Sequence, residues 1–105
     1  MWIFTNTGFL SVVAHREKES TLLVRARRTG EIESIFPDAS VYEMENADYH
    51  YRAEVSREKV SQVMANQIKN IDYDNFKSSV SDNNRHDAYM DVWSVMYAYQ
   101  TTRRD

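Results

Sequence analysis

Basic side chains recur at every second position in two segments of the chain. In "LLVRAR", Arg25 and Arg27 are separated by one apolar residue, and in "YHYRAEV", His50 and Arg52 are separated by one tyrosine. Because side chains two residues apart lie on one face of a β-strand, we expect each pair to face one way, together with His15 of "SVVAHR". Converging guanidinium groups bind phosphate or carboxylate through paired hydrogen bonds. Nearby arginines favour the neutral, basic form of a histidine, so His15 or His50 would then be the acid–base group.

Other catalytic or metal-binding chemistry finds little support in the sequence. The three histidines lie in separate segments without an H-x-x-x-H pair, and the chain has no cysteine, so no metal site is predicted. With only two glycines and no G-x-S-x-G motif, neither a glycine-rich phosphate loop nor a nucleophile elbow is expected. No cofactor is predicted, and an enzymatic function is left open but disfavoured.

Aromatic residues and methionines are spaced as on a helix near the end of the chain. Tyr89, Trp93 and Met96 stand at i, i+4 and i+7 of the segment His86–Gln100, the spacing of one helix face. Such a stripe often packs in a core, but the same residue types are enriched at the centres of protein interfaces. This helix is therefore a candidate surface for a protein partner or a second copy of the chain.

Alternating and β-branched segments predict the strands that would position these side chains. The first two long strands form a hairpin, because a connection of about five residues joins them. Trp2–Phe4 is a candidate for a short additional strand. The four predicted strands are Gly8–Arg16, Thr21–Arg28, Ser40–Glu45 and Tyr49–Val55.

Capping residues and apolar periodicity predict two helices before the aromatic one. Thr29–Phe36 would begin at a threonine cap and stop before Pro37, and Arg57–Ile71 would begin after Ser56 as N-cap. The order β-β-α-β-β-α, with the aromatic helix added, predicts an α+β fold with a four-stranded antiparallel sheet, ferredoxin-like in a permuted order. The expected spatial order places the second strand beside the fourth, with the first and third strands outside them.

In each predicted strand, every second residue is apolar or aromatic, and we expect these residues to share the sheet face that the helices cover. They are Leu10, Val12, Ala14, Leu22, Val24, Ala26, Tyr42, Met44, Tyr49, Tyr51, Ala53 and Val55. The opposite face carries the basic side chains, with Glu43 and Glu45 at its edge. If Arg52 pairs with one of these carboxylates, the face is an ordinary solvated one; if the basic groups converge, it is an anion site. Tyr49 and Tyr51 are expected on the covered, apolar face, so the exposed face has no aromatic rings of these strands on which bases could stack. This disfavours nucleic-acid binding.

Length and charge give the general class of protein. A chain of 105 residues predicts a single domain over 1–105, with 101–105 as a flexible tail. The net charge of −3 gives no general attraction to phosphate or anionic lipid. The sequence has no apolar run of the ~20 residues that a membrane span needs and no basic segment before an apolar run, as in a secretory signal. We therefore expect a cytoplasmic protein without membrane contact.

Five segments of the chain resemble a family of small bacterial proteins of unknown function. They are "GFLSVVAHR", "LLVRAR", "DYHYRAEV", "DYDNFK" and "RHDAYMDVWSVM". In that family an opening close to "MWLFT…GFxSVVxHR" is followed by "LLVRAR" and "DYxNFK". The resemblance covers most of the chain and implies a compact cytoplasmic α+β protein, but it implies no activity, cofactor or catalytic residue.

These observations favour a small non-enzymatic binding or interaction module that uses the basic sheet face and the aromatic C-terminal helix. One alternative is a small enzyme or binder of an anionic ligand, held by Arg25, Arg27 and Arg52. The other alternative is a protein that binds single-stranded nucleic acid.

Overall fold

The computed structural model describes residues 1–102, which fall into two compact units. The first unit is Met1–Asp72, and the second begins at Tyr73. The single domain over 1–105 stays a prediction. Of the predicted tail, Thr101 caps the last helix with its backbone N–H, and residues 103–105 lie outside the described residues.

The first unit is built on a five-stranded antiparallel sheet in the order β1-β2-β3-β5-β4. The chain is thus α+β, as expected, but the sheet has five strands and not four, because Trp2–Thr5 turns back through Asn6 and Thr7 to pair with β2. The ferredoxin-like comparison stays a prediction. The strands are β1 Trp2–Thr5, β2 Gly8–Ala14, β3 Thr21–Ala26, β4 Tyr42–Glu43 and β5 Tyr51–Ser56.

The predicted helix Thr29–Phe36 is wrong, because this segment forms successive turns. Ser34 donates its N–H to the Gly30 carbonyl and Phe36 donates to the Ile32 carbonyl, but the bonds do not continue into a regular helix. Pro37 lacks an N–H and stops propagation, and so short a segment gains little from helical bonds alone. Its predicted apolar stripe is nevertheless buried: Ile32, Ile35 and Phe36 all belong to the core.

Helix α1, Arg57–Lys69, begins where predicted and covers the apolar sheet face. The Ser56 hydroxyl oxygen accepts a hydrogen bond from the Lys59 N–H at 3.1 Å, the usual N-cap arrangement. Val60 is buried in the core, whereas Ile68 and Ile71 are exposed, so the buried stripe is shorter than expected. The sheet residues of this core are Leu10, Val12, Val24, Ala26 and Ala53.

Strand β4 faces the opposite way from the prediction. Tyr42 lies opposite Arg52 and Glu43 lies opposite Tyr51, so Tyr42 shares the face of the arginines and Glu43 shares the apolar face. The preceding residue, Val41, packs against the core, and a register shift of one residue turns every side chain to the other face. Tyr42 and Met44, expected in the core, are exposed.

The second unit contains a short 3-10 turn, Lys77–Ser79, and helix α2, Asn83–Gln100. Helix α2 begins three residues before the predicted start, because Asp82 caps it: its carboxylate accepts a hydrogen bond from the Arg85 N–H at 2.8 Å. The Phe76 ring stacks on Tyr89 with 5.8 Å between centroids. Within residues 1–102, no helix has both the length and the apolar character needed to cross a bilayer.

Candidate functional site

Two of the predicted basic residues lie directly opposite each other at the middle of the sheet. The register places Ser11, Arg25 and Arg52 in one row across β2, β3 and β5. The Arg25 Nη2 donates to the Ser11 hydroxyl oxygen at 2.7 Å. The Arg25 Nε is buried and has no hydrogen-bond partner among the described residues. Like charges directly opposite on neighbouring strands are destabilising, so this row needs a compensating contact.

For Arg25, that contact is the ring of Tyr49, which is also contacted by the guanidinium group of Arg27. The centroid of the ring is 4.5 Å from Cζ of Arg25 and 4.3 Å from Cζ of Arg27, and Tyr49 is only 4% exposed. Cations over the face of an aromatic ring are attracted by its quadrupole. The expected place of Tyr49 on the apolar face is therefore wrong. Its segment bends before β5 begins at Tyr51, and the strand alternation does not extend to it.

The backbone beside Tyr49 accepts hydrogen bonds from the other arginines. The Arg27 Nη1 donates to the Asp48 carbonyl at 3.0 Å, and the Arg52 Nε donates to the Tyr49 carbonyl at 3.1 Å. The Arg52 side chain is 14% exposed and also lies 3.4 Å from Oδ1 of Asp48. The predicted pairing of Arg52 with Glu43 or Glu45 does not match this register, since Tyr42 stands opposite Arg52. We call Arg25, Arg27, Tyr49 and Arg52 the arginine–tyrosine cluster.

His15 lies at the end of β2 in a separate hydrogen-bonded group. Its Nδ1 accepts hydrogen bonds from the Glu17 N–H at 3.0 Å and the Lys18 N–H at 3.1 Å. Its Nε2 lies 3.4 Å from Oε2 of Glu54, and Lys18 Nζ lies 3.0 Å from Oε1 of the same carboxylate. The hydrogen bond and charge of Lys18, with a smaller contribution from His15, lower the pKa of Glu54. His15 therefore orders the turn between β2 and β3.

His50 is exposed, and its ring centroid lies 6.4 Å from that of Tyr51. Among the described residues, no hydrogen bond or ion pair links either histidine to the cluster, so the structure groups three of the five predicted residues: Arg25, Arg27 and Arg52. The same part of the chain contains no group of three His, Cys, Asp or Glu side chains able to hold a metal ion. Sequence reasoning missed Tyr49 and Tyr42 on this face. The turn residues "NAD" before Tyr49 were the available signal that alternation would fail there.

Helix α2 provides the second candidate site, which we call the aromatic end of α2, residues 91–100. Of the three predicted interface residues, Tyr89 is buried, whereas Trp93 is 48% and Met96 54% exposed. The rings of Trp93 and Tyr97 stack at 5.3 Å, and Lys77 Nζ lies 4.9 Å from the centroid of Trp93. All ten residues of the aromatic end are exposed, and they include Val92, Trp93, Val95, Met96, Tyr97 and Tyr99.

No family model, curated protein or solved structure matches the chain. The resemblance to a family of small bacterial proteins stays a prediction.

Proposed function

We propose that the protein is a non-enzymatic interaction module that self-associates through the aromatic end of α2. The observation that supports this most directly is the exposure of six large apolar side chains within ten consecutive residues. Clustered aromatic and methionine side chains of this kind are typical of interface centres. Asp91 is the single charged residue from Ala88 to Gln100, so a strongly charged partner has little to pair with here.

A second copy of the chain is the partner that this surface suits best. Two identical surfaces can meet around a two-fold axis, and α2 itself adds only the charge of Asp91 to each, besides the Lys77 ammonium group that lies over the Trp93 ring. The half-exposed rings of Trp93 and Tyr97 contribute about 75–125 Å² each, or about 300–500 Å² over two copies. Met96 adds to this area, which stays in the range of small, transient interfaces. We therefore expect a weak, reversible dimer.

The contact is expected on the helix side that carries Trp93, Met96 and Tyr97. These residues stand at i, i+3 and i+4 and continue the line of Tyr89, which is already packed against Phe76. At 100° per residue, Val95 lies on the opposite side of the helix. It is 65% exposed and is therefore a matched control position.

Sedimentation equilibrium over a range of protein concentrations tests this function. We expect the wild type to dimerise, Met96→Glu to weaken the dimer by at least about tenfold, and Val95→Glu to leave it nearly unchanged. A wild type that stays monomeric at high concentration, or equal effects of the two substitutions, would contradict the proposal.

The arginine–tyrosine cluster gives less support to the anion-binding and nucleic-acid alternatives. Arg27 and Arg52 both bind the backbone of the Asp48–Tyr49 segment. The guanidinium groups of Arg25 and Arg27 both lie over the Tyr49 ring, and Tyr49 is only 4% exposed. A ring enclosed in this way offers no free face on which a base can stack. The role that these contacts favour is positioning of the segment before β5.

A further inference from the structure

Strand β5 has a strand partner along its whole length on one side only. β3 pairs with it from Tyr51 to Ser56, whereas β4 pairs only with Tyr51 and Arg52. In the described part of the chain, β4 is the outermost strand on that side. The residues from Ala53 to Ser56 therefore form an open edge beyond the end of β4.

Two hydrogen bonds fix which backbone groups face this edge. Met44 donates its N–H to the His50 carbonyl at 2.8 Å, on the β4 side, and Arg57 donates to the Ser20 carbonyl at 2.8 Å, on the β3 side. Backbone groups of an antiparallel strand alternate between its two neighbours. The N–H and C=O of Glu54 and the N–H of Ser56 therefore face the edge, where no strand within residues 1–102 pairs with them.

A pocket of about 320 Å³ lies against these groups, between the edge, the segment 36–40 and α1. Its apolar wall includes Phe36, Val55 and Val63. Its charged lining residues are Asp38, Glu54 and Lys59, and the Glu54 carboxylate is already paired with Lys18 and His15. No acidic side chain among the described residues forms an ion pair with Lys59. The volume is at the lower end of the range for ligand pockets, which suits one or two side chains of a larger partner.

We propose that this edge and pocket bind an extended peptide segment of a partner protein, which adds to the sheet beside β5. The backbone of Glu54 presents an N–H donor and a C=O acceptor at this edge, and the N–H of Ser56 presents the next donor, two residues further along the strand. An extended backbone matches this repeat of about 6.8 Å with its own alternating groups. An apolar side chain of the peptide enters the pocket, and an acidic side chain two positions away pairs with Lys59. The site shares no residue with the aromatic end of α2, and the proposal does not depend on self-association.

Amide hydrogen exchange of the free protein tests the open edge. The N–H groups of Ala53 and Val55 point to β3, whereas those of Glu54 and Ser56 point away from it. We expect Glu54 and Ser56 to exchange at least about 100-fold faster than Ala53 and Val55. Equal protection of the four amides would show that the edge is closed and would overturn the proposal.

A titration followed by amide NMR shifts tests the binding. The probe is the acetylated and amidated pentapeptide Thr-Val-Thr-Glu-Thr, used with versions that carry Leu or Phe in place of Val. We expect at least one of them to shift and protect the Glu54 and Ser56 amides, with a Kd of about 0.1–1 mM because the contact is small. A version methylated on the backbone nitrogen of the central threonine loses a donor, and we expect it not to bind.

Charge variants separate a peptide site from a general anion site. Lys59→Glu is expected to weaken binding at least about fivefold, whereas Lys69→Glu, at the other end of α1, leaves it unchanged. The proposal is overturned if none of the peptides shifts the Glu54 and Ser56 amides, or if the methylated peptide binds equally well. It is also overturned if acetate alone reproduces the shifts or the two lysine variants behave alike.

Discussion

The contacts of the Tyr49 ring with Arg25 and Arg27 lead to a quantitative prediction about the stability of the first unit. Replacing Tyr49 by leucine keeps an apolar side chain in this buried position but removes both π faces. The contact with the exposed Arg27 is worth about 0.5–1 kcal/mol and the contact with the half-buried Arg25 about 1–2 kcal/mol. We therefore expect Tyr49→Leu to lower the free energy of unfolding of this unit by about 1.5–3 kcal/mol.

Tyr49→Phe is the matched control, because it keeps both ring faces and removes only the hydroxyl group. We expect it to cost less than about 1 kcal/mol. Arg27→Gln completes a double-mutant cycle. We expect this substitution to lower the free energy of unfolding by about 0.5–1 kcal/mol less in the Tyr49→Leu protein than in the wild type. A coupling of this size would attribute the loss to the ring–guanidinium contact and not to the change in volume.

Native-state hydrogen exchange of the Val24 and Ala53 amides is the suitable assay. These residues lie opposite each other on β3 and β5, at the centre of the sheet, so their slow exchange reports the opening of the first unit alone. The reasoning is refuted if Tyr49→Leu and Tyr49→Phe have the same stability, or if the cycle shows no coupling. Stabilisation by added phosphate that is lost in Arg25→Gln would instead support the anion-binding alternative.

Three further outcomes follow from contacts in the first unit. Gly8→Ala is expected to cost about 1–3 kcal/mol by overpacking, because a Cβ at Gly8 would lie 2.8 Å from Cβ of Glu31; a denaturant titration of the variant measures this, and a cost near zero contradicts it. Ser56→Ala is expected to cost about 1 kcal/mol through loss of the N-cap, whereas Ser61→Ala, inside the same helix, changes stability by less than about 0.5 kcal/mol; exchange of the first-turn amides of α1 compares the two. The lowered pKa of Glu54, caused chiefly by Lys18, means that its ion pairs add stability at neutral pH that is lost as the pH falls through that pKa. Lys18→Met is expected to raise the pKa of Glu54 toward its ordinary range, which a carboxyl NMR titration detects, and an unchanged pKa would contradict the assigned cause.

The arginine–tyrosine cluster illustrates how far sequence reasoning extends to a site. Alternation in two regular strands was sufficient to place Arg25 and Arg52 on one face, because the apolar residues between them, such as Val24 and Ala53, must be buried together. The position of Tyr49 could not be derived in this way. It lies in a bend, where no repeating pattern relates one side chain to the next.

The sequence by itself determined the α+β class, the long strands β2, β3 and β5, the capped start of α1 and the apolar character of α2. Each of these depends on local periodicity or on a cap within a few residues. The tertiary structure alone decided the face of β4, the turns at 29–36 and the contacts of Tyr49. In those short segments the local preference is weak, and burial of one side chain, such as Val41 or Ile32, selects the conformation. The extent to which α2 is exposed also belongs to the tertiary structure, because an apolar stripe has the same spacing whether it is buried in its own chain or left open to a partner.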